Sequence, residues 1–113
     1  MNISGQSATT EPLVSQLLAE DEGLRNIVEE FVSGLTERMA ELRTAHEQLD
    51  WDLLRTLAHR LKGAGGSYGY PDLSELGKRM EDNFKAQRAD DFVVWIQQFE
   101  RLTAAASAGL RAS

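Results

Sequence analysis

The sequence predicts an all-α protein, an antiparallel up-down four-helix bundle with a short extra N-terminal helix. Three observations lead there. Apolar residues recur at helical spacing along nearly the whole chain, with no sustained strand-like alternation. Proline occurs only at Pro12 and Pro71, each placed to open a helix. The breaks between the long periodic runs are short, which makes successive helices antiparallel neighbours. A chain of 113 residues is the size of one domain and long enough to bury a single core.

Taken in order, residues 1–9 read as a flexible polar lead, and 10–113 as the bundle domain. Thr10 is expected to cap the short first helix, with Pro12 in its first turn and Leu13, Val14, Leu17 and Leu18 on its sticky side. A long helix is predicted from Asp21 to Gln48. Its inward stripe is Leu24, Ile27, Val28, Phe31, Val32, Leu35, Met39 and Leu42. Asp50 caps the next helix, which runs to about Tyr68, and Gly69 stops it. Pro71 starts another, with Leu73, Leu76, Met80 and Phe84 inward. Asp90 and Asp91 open the last, with Phe92, Trp95, Ile96, Phe99, Leu102 and Ala106 inward. No internal repeat is visible.

Composition narrows the function. Eighteen acidic against twelve basic residues give a net charge of −6, which argues against a nucleic-acid binder. There is no cysteine, so disulfide and thiolate chemistry drop out. No apolar run approaches the ~18 residues of a membrane span, and the opening MNISGQSATTE has no signal-peptide core. A soluble, cytoplasmic protein is expected, without membrane or nucleic-acid partners. Met1 and the polar lead favour a free-standing chain.

The stretch AHRLKGAGGSYG, residues 58–69, carries the chemistry. On a helical wheel Leu54, Leu57, Ala58, Leu61, Gly65 and Tyr68 share an inward arc of roughly 100°. His59 lies about 150° from the centre of that arc, Gly63 about 170°, and Lys62 at the flank, roughly 90° away. His59 is therefore expected to face solvent, with Gly63 one turn on along the same face. A helical glycine costs roughly 0.8–1.0 kcal/mol relative to alanine, and the core gains nothing from Gly63. Its expected use is to clear space above the imidazole. Gly65, on the inner arc, is expected to let a neighbouring helix come close. No acid occurs from Leu53 to Pro71, whereas Arg55, Arg60 and Lys62 do. That predicts a positive patch for a phosphoryl group or an acidic partner. Neutral imidazole is a nucleophile near neutral pH. A nearby ammonium disfavours the imidazolium and would offset an attached phosphoryl charge.

Other site types do not fit. GAGGSYG is neither a Walker loop nor a dinucleotide fingerprint. A di-iron bundle needs Glu-x-x-His, but Thr56 precedes His59 by three residues and Arg43 precedes His46 by three. Two separated histidines without cysteine do not make a zinc site, and His46 is expected to be solvated. The chain is thus not expected to be an enzyme with its own ATP site, cofactor or metal.

His59-Arg60-Leu61-Lys62-Gly63-Ala64-Gly65-Gly66-Ser67-Tyr68-Gly69 resembles the signature of histidine-containing phosphotransfer (HPt) domains: His, any residue, Leu, Lys, Gly, two small, two variable, an apolar residue and Gly. Leu73, Leu76, Met80 and Glu81 resemble the spaced positions of the family's next helix, and the Phe31 region and Asp50 its looser upstream pattern. The similarity spans roughly residues 12–105, with its specific part at 58–69. The resemblance implies a phosphocarrier in a multistep His–Asp relay of two-component signalling. It would be a monomer that meets response-regulator receiver domains and a hybrid histidine kinase, with magnesium on the receiver. By match, His59 accepts the phosphoryl group at Nε2, Lys62 faces the phosphate, and Gly63 clears the approach. Glu81 would sit beside the histidine, where relatives often have glutamine. There it would orient Nδ1–H, yet repel a phosphoryl group that came too close.

Two other readings stay open: a non-phosphorylated helical docking module for a receiver, and a small-ligand bundle with an internal pocket. A kinase dimerisation domain usually has an acid directly after its histidine; Arg60 stands there instead.

Overall fold

The computed structural model describes residues 11–112. The flexible lead expected over residues 1–9 and the cap expected at Thr10 lie outside that range. Six α-helices form within it: α1 Gln16–Glu20, α2 Arg25–Ser33, α3 Leu35–Glu47, α4 Trp51–Ser67, α5 Pro71–Lys85 and α6 Phe92–Ala112, with a 3-10 turn at Glu22–Leu24. Among the described residues there is no strand, and no helix is long and apolar enough to cross a membrane.

The side-chain pairings fix the helix directions. Gly65 lies against Leu73 and Ser74, and Lys62 against Gly77, so α4 and α5 run antiparallel. Phe84 meets Phe92 and Trp95, while Arg79 bonds Gln98 farther along; α5 and α6 are antiparallel too. His46 meets Phe92 and Arg43 pairs with Glu100, which sets α3 against α6 in the same sense. With α2 and α3 as one broken rod, this is the expected up-down four-helix bundle. Its core holds Leu35, Leu54, Leu73, Leu76, Met80 and Phe99, none of them measurably exposed. Each such side chain stabilises the fold by roughly 1.5–3 kcal/mol relative to exposure.

Four expectations need correction. Where periodicity predicts one helix from Asp21 to Gln48, the structure has the 3-10 turn, α2, a break at Gly34, and α3. The Ser33 hydroxyl donates to the Glu30 carbonyl at 2.9 Å, a local bond that bends helices. The apolar stripe runs straight across this break, so spacing alone does not reveal it. Ile27 is 44% exposed, because it lies about 90° from the centre of the stripe formed by Val28, Phe31, Val32 and Leu35. The short first helix is capped by Ser15, whose hydroxyl accepts from Leu18 N–H at 3.1 Å; Pro12 does not open it, and Pro12, Leu13 and Val14 all precede the helix rather than belong to it.

Ser15 also belongs to a strap over one end of the bundle. Its hydroxyl donates to the Tyr68 carbonyl at 2.6 Å. Leu13 N–H bonds Ala105 C=O, and Gln16 N–H bonds Gly69 C=O, both at 2.9 Å. The strap thereby ties α1 to the α4–α5 turn and to the end of α6. His46 is not simply solvated: it is half-buried and stacks flat on Phe92, centroids 3.9 Å apart, because the end of α3 meets the start of α6.

Candidate functional site

Helix α4 carries the candidate histidine, and both its ends are fixed locally. Asp50 caps it, its carboxylate accepting Leu53 N–H at 3.1 Å. At the other end Gly69 takes φ of +85°, a left-handed conformation that glycine adopts without strain. Tyr70 N–H then reaches Gly65 C=O at 2.7 Å and Gly69 N–H reaches Gly66 C=O at 3.2 Å, the paired bonds of a Schellman stop. Tyr68 stacks on Phe31 with ring centroids 4.5 Å apart, so the exit of α4 is clamped to α2. Along the rod, Leu54, Leu57, Ala58, Leu61 and Gly65 are buried, as the wheel requires.

The opposite face carries His59, whose side chain is 65% exposed. A Cβ built on Gly63 meets nothing within 4 Å. The space one turn along from the imidazole is open, as expected from the sequence.

The neighbour α5 lies unusually close. A Cβ on Gly65 would come within 2.7 Å of Ser74 N, and one on Gly77 within 2.6 Å of Lys62 N and 2.9 Å of the Ala58 carbonyl. Only glycine at both positions allows the two backbones to touch. Ser74 Oγ adds a bond of 2.8 Å to the Lys62 carbonyl. Gly77 and Ser74 were not foreseen as part of the site. The signal was present for Gly77: it falls between Leu76 and Met80 on the inward stripe of α5, where an apolar side chain would ordinarily stand.

This contact places Glu81 beneath the histidine. Its side chain is buried, 7% exposed, in a helix whose other side-chain carboxylates face water. Oε2 lies 2.9 Å from His59 Nδ1, Oε1 lies 2.9 Å from Lys62 Nζ, and Lys85 Nζ stands 3.8 Å from Oε2. The Glu81 carboxyl is held below its ordinary range, chiefly by the hydrogen bond from Lys62. Burial opposes this, while the bond to His59 and the charges of Lys62 and Lys85 add to it. An ionised carboxylate only accepts, so Nδ1 carries the proton of that bond. In the neutral ring the lone pair is then on Nε2, which has no partner among the described residues.

The structure thus brings His59, Lys62, Gly63 and Glu81 into one turn-and-neighbour unit. It departs from the charge pattern in one respect. Lys62 does not reach unopposed toward the imidazole; its ammonium is bound by Glu81, 19 residues farther along the chain, which sequence proximity could not reveal. Arg55 is paired with Asp52 at 3.1 Å, and Arg60 lines a groove with Glu37 and Glu41. The acid-free run from Leu53 to Pro71 is therefore not an acid-free surface. Among the described residues, no group of three or more histidine and acidic side chains is placed to hold a metal ion.

A model of the Hpt domain family matches residues 26–109, most of the chain. No curated protein and no solved structure matches it.

Proposed function

The chain belongs to the Hpt domain family, and from that premise we propose that it is a phosphocarrier of a His–Asp relay, with His59 as the acceptor. Its partners are receiver domains, loaded upstream by a hybrid histidine kinase, and it works as a monomer in the cytoplasm. One observation carries the assignment. A buried carboxylate occupies Nδ1 of an imidazole that is 65% exposed, with open space over Gly63.

The chemistry follows from that geometry. A receiver presents its aspartyl phosphate over the Gly63 turn. The Nε2 lone pair attacks phosphorus as the P–O bond to the aspartate breaks, its electron pair leaving with the carboxylate. The proton on Nδ1 stays in its bond to Glu81. Phosphoryl transfer of this kind needs mainly positioning and charge neutralisation. The rigid α4–α5 seam supports the first and the Lys62 ammonium the second. The receiver brings the magnesium.

The test is incubation with a phosphorylated receiver and magnesium. The expected result is an acid-labile, base-stable label on the wild type and none on His59→Gln. Tight receiver binding without label in the wild type would instead support a docking module.

A further inference from the structure

Glu81 does more than hold a ring nitrogen, because its second oxygen and its second cation are not needed for that task. One carboxylate gathers His59 Nδ1 at 2.9 Å, Lys62 Nζ at 2.9 Å and Lys85 Nζ at 3.8 Å. The two lysines differ in freedom. The Lys62 side chain is 35% exposed and that of Lys85 56%, against 7% for Glu81. The cations can swing toward water, whereas the carboxylate is fixed. A phosphoryl group on Nε2 would bring about two negative charges to the exposed side of the same ring, and would compete with Glu81 for both ammonium groups.

We propose that Glu81 is a resident counter-ion that the phosphoryl group must displace: Lys62 and Lys85 are held on its carboxylate in the resting domain and turn to the phosphate when His59 is loaded. Carrying the group thus weakens two existing ion pairs and leaves a buried carboxylate less well compensated, which is unfavourable. A neutral amide at this position would accept from Nδ1 through its carbonyl oxygen and leave the cations free. The negative charge therefore makes the domain a loose holder that passes its group on readily. The inference deepens the phosphocarrier reading and names Lys85 as a second phosphate-facing cation.

The test uses potassium phosphoramidate as donor, so that it does not depend on any receiver. The P–N bond of the reagent breaks, ammonia leaves, and the new P–N bond forms at Nε2. The excess reagent is then removed. Decay of the phosphohistidine and the 31P titration of its phosphate are followed in wild type, Glu81→Gln and Lys85→Ala. The expected half-life rises roughly tenfold in Glu81→Gln, the size of one charge-assisted contact regained, and the phosphate titrates at lower pH. Lys85→Ala shifts both readouts the opposite way, and its exposed side chain makes it the variant that folds even if Glu81→Gln does not. The inference is overturned if no variant moves either readout by more than twofold, or if the wild-type histidine takes no label from the reagent. Labelling by phosphoramidate with the expected shifts, but no transfer from any receiver, would leave the counter-ion standing and remove the relay.

Discussion

Helix α4 meets its two long neighbours in opposite ways. Against α5 it is closed backbone to backbone, through Gly65 and Gly77. Against α3 it leaves a groove of about 360 Å³, lined by Ala40, Thr44, Leu53 and Leu57 and edged by Glu37, Glu41 and Arg60. Among the described residues, the closed seam carries the hydrogen bond that fixes His59 from outside its own helix. The open one does not. The difference shows where precision is needed: a hydrogen bond of 2.9 Å from α5 to a ring on α4 tolerates little relative movement, and close-packed interiors transmit small shifts.

The comparison can be broken most forcefully at the closed seam. Gly77→Ala puts a methyl against the Lys62 and Ala58 backbone. It should destabilise the domain by about 1–3 kcal/mol despite alanine's better helix propensity, and slow phosphoryl transfer, as denaturant melts and label kinetics would show. A melt of unchanged midpoint would mean that the seam is looser than described.

Acid should act at the same seam. The Glu81 carboxyl is held below its ordinary range when folded, so its ion pairs stabilise the domain at pH above that range, near 4.3. The stability is lost as pH falls through the lower, folded value. The wild type should lose this contribution between about pH 5 and its folded pKa, whereas Glu81→Gln should show a flatter acid limb in thermal melts.

Gly63 sharpens the contrast within one helix. It has the same residue type as Gly65 and Gly77 but open space around it. Gly63→Ala should stabilise the domain by about 0.8–1.0 kcal/mol. Gly63→Leu should keep or raise helicity in circular dichroism while blocking receiver docking and transfer. An unfolded Gly63→Leu would contradict the role given to that glycine. The smallest effect belongs to the open seam: Ala40→Met, at an exposed position lining the groove, should change stability by no more than about 0.5 kcal/mol.

What the sequence revealed follows the same division. Local rules were enough for α4. Asp50 and Gly69 mark its ends, the wheel turns His59 and Gly63 outward, and the apolar stripe turns Gly65 inward. They were not enough for α3 and α5, whose left-handed stops fall on Leu49 and Gln87, with φ of 50° and 55°, rather than on glycine. Nor could spacing show that Lys62 is bound by Glu81, or that His46 lies on Phe92. Those pairs join separate helices and exist only once the bundle is packed. The break at Gly34 escaped for a different reason: the inward stripe keeps its phase across a single interrupted turn.

The measurement that bears most directly on the whole account is the position of the transferred phosphoryl group, mapped by 1H–15N spectroscopy and fragmentation of the labelled domain. Phosphorus on Nε2 of His59, with Nδ1 still protonated, is the predicted result. Phosphorus on Nδ1, or on any other residue, would contradict it, since the buried Glu81 could not then be the group that aims the ring.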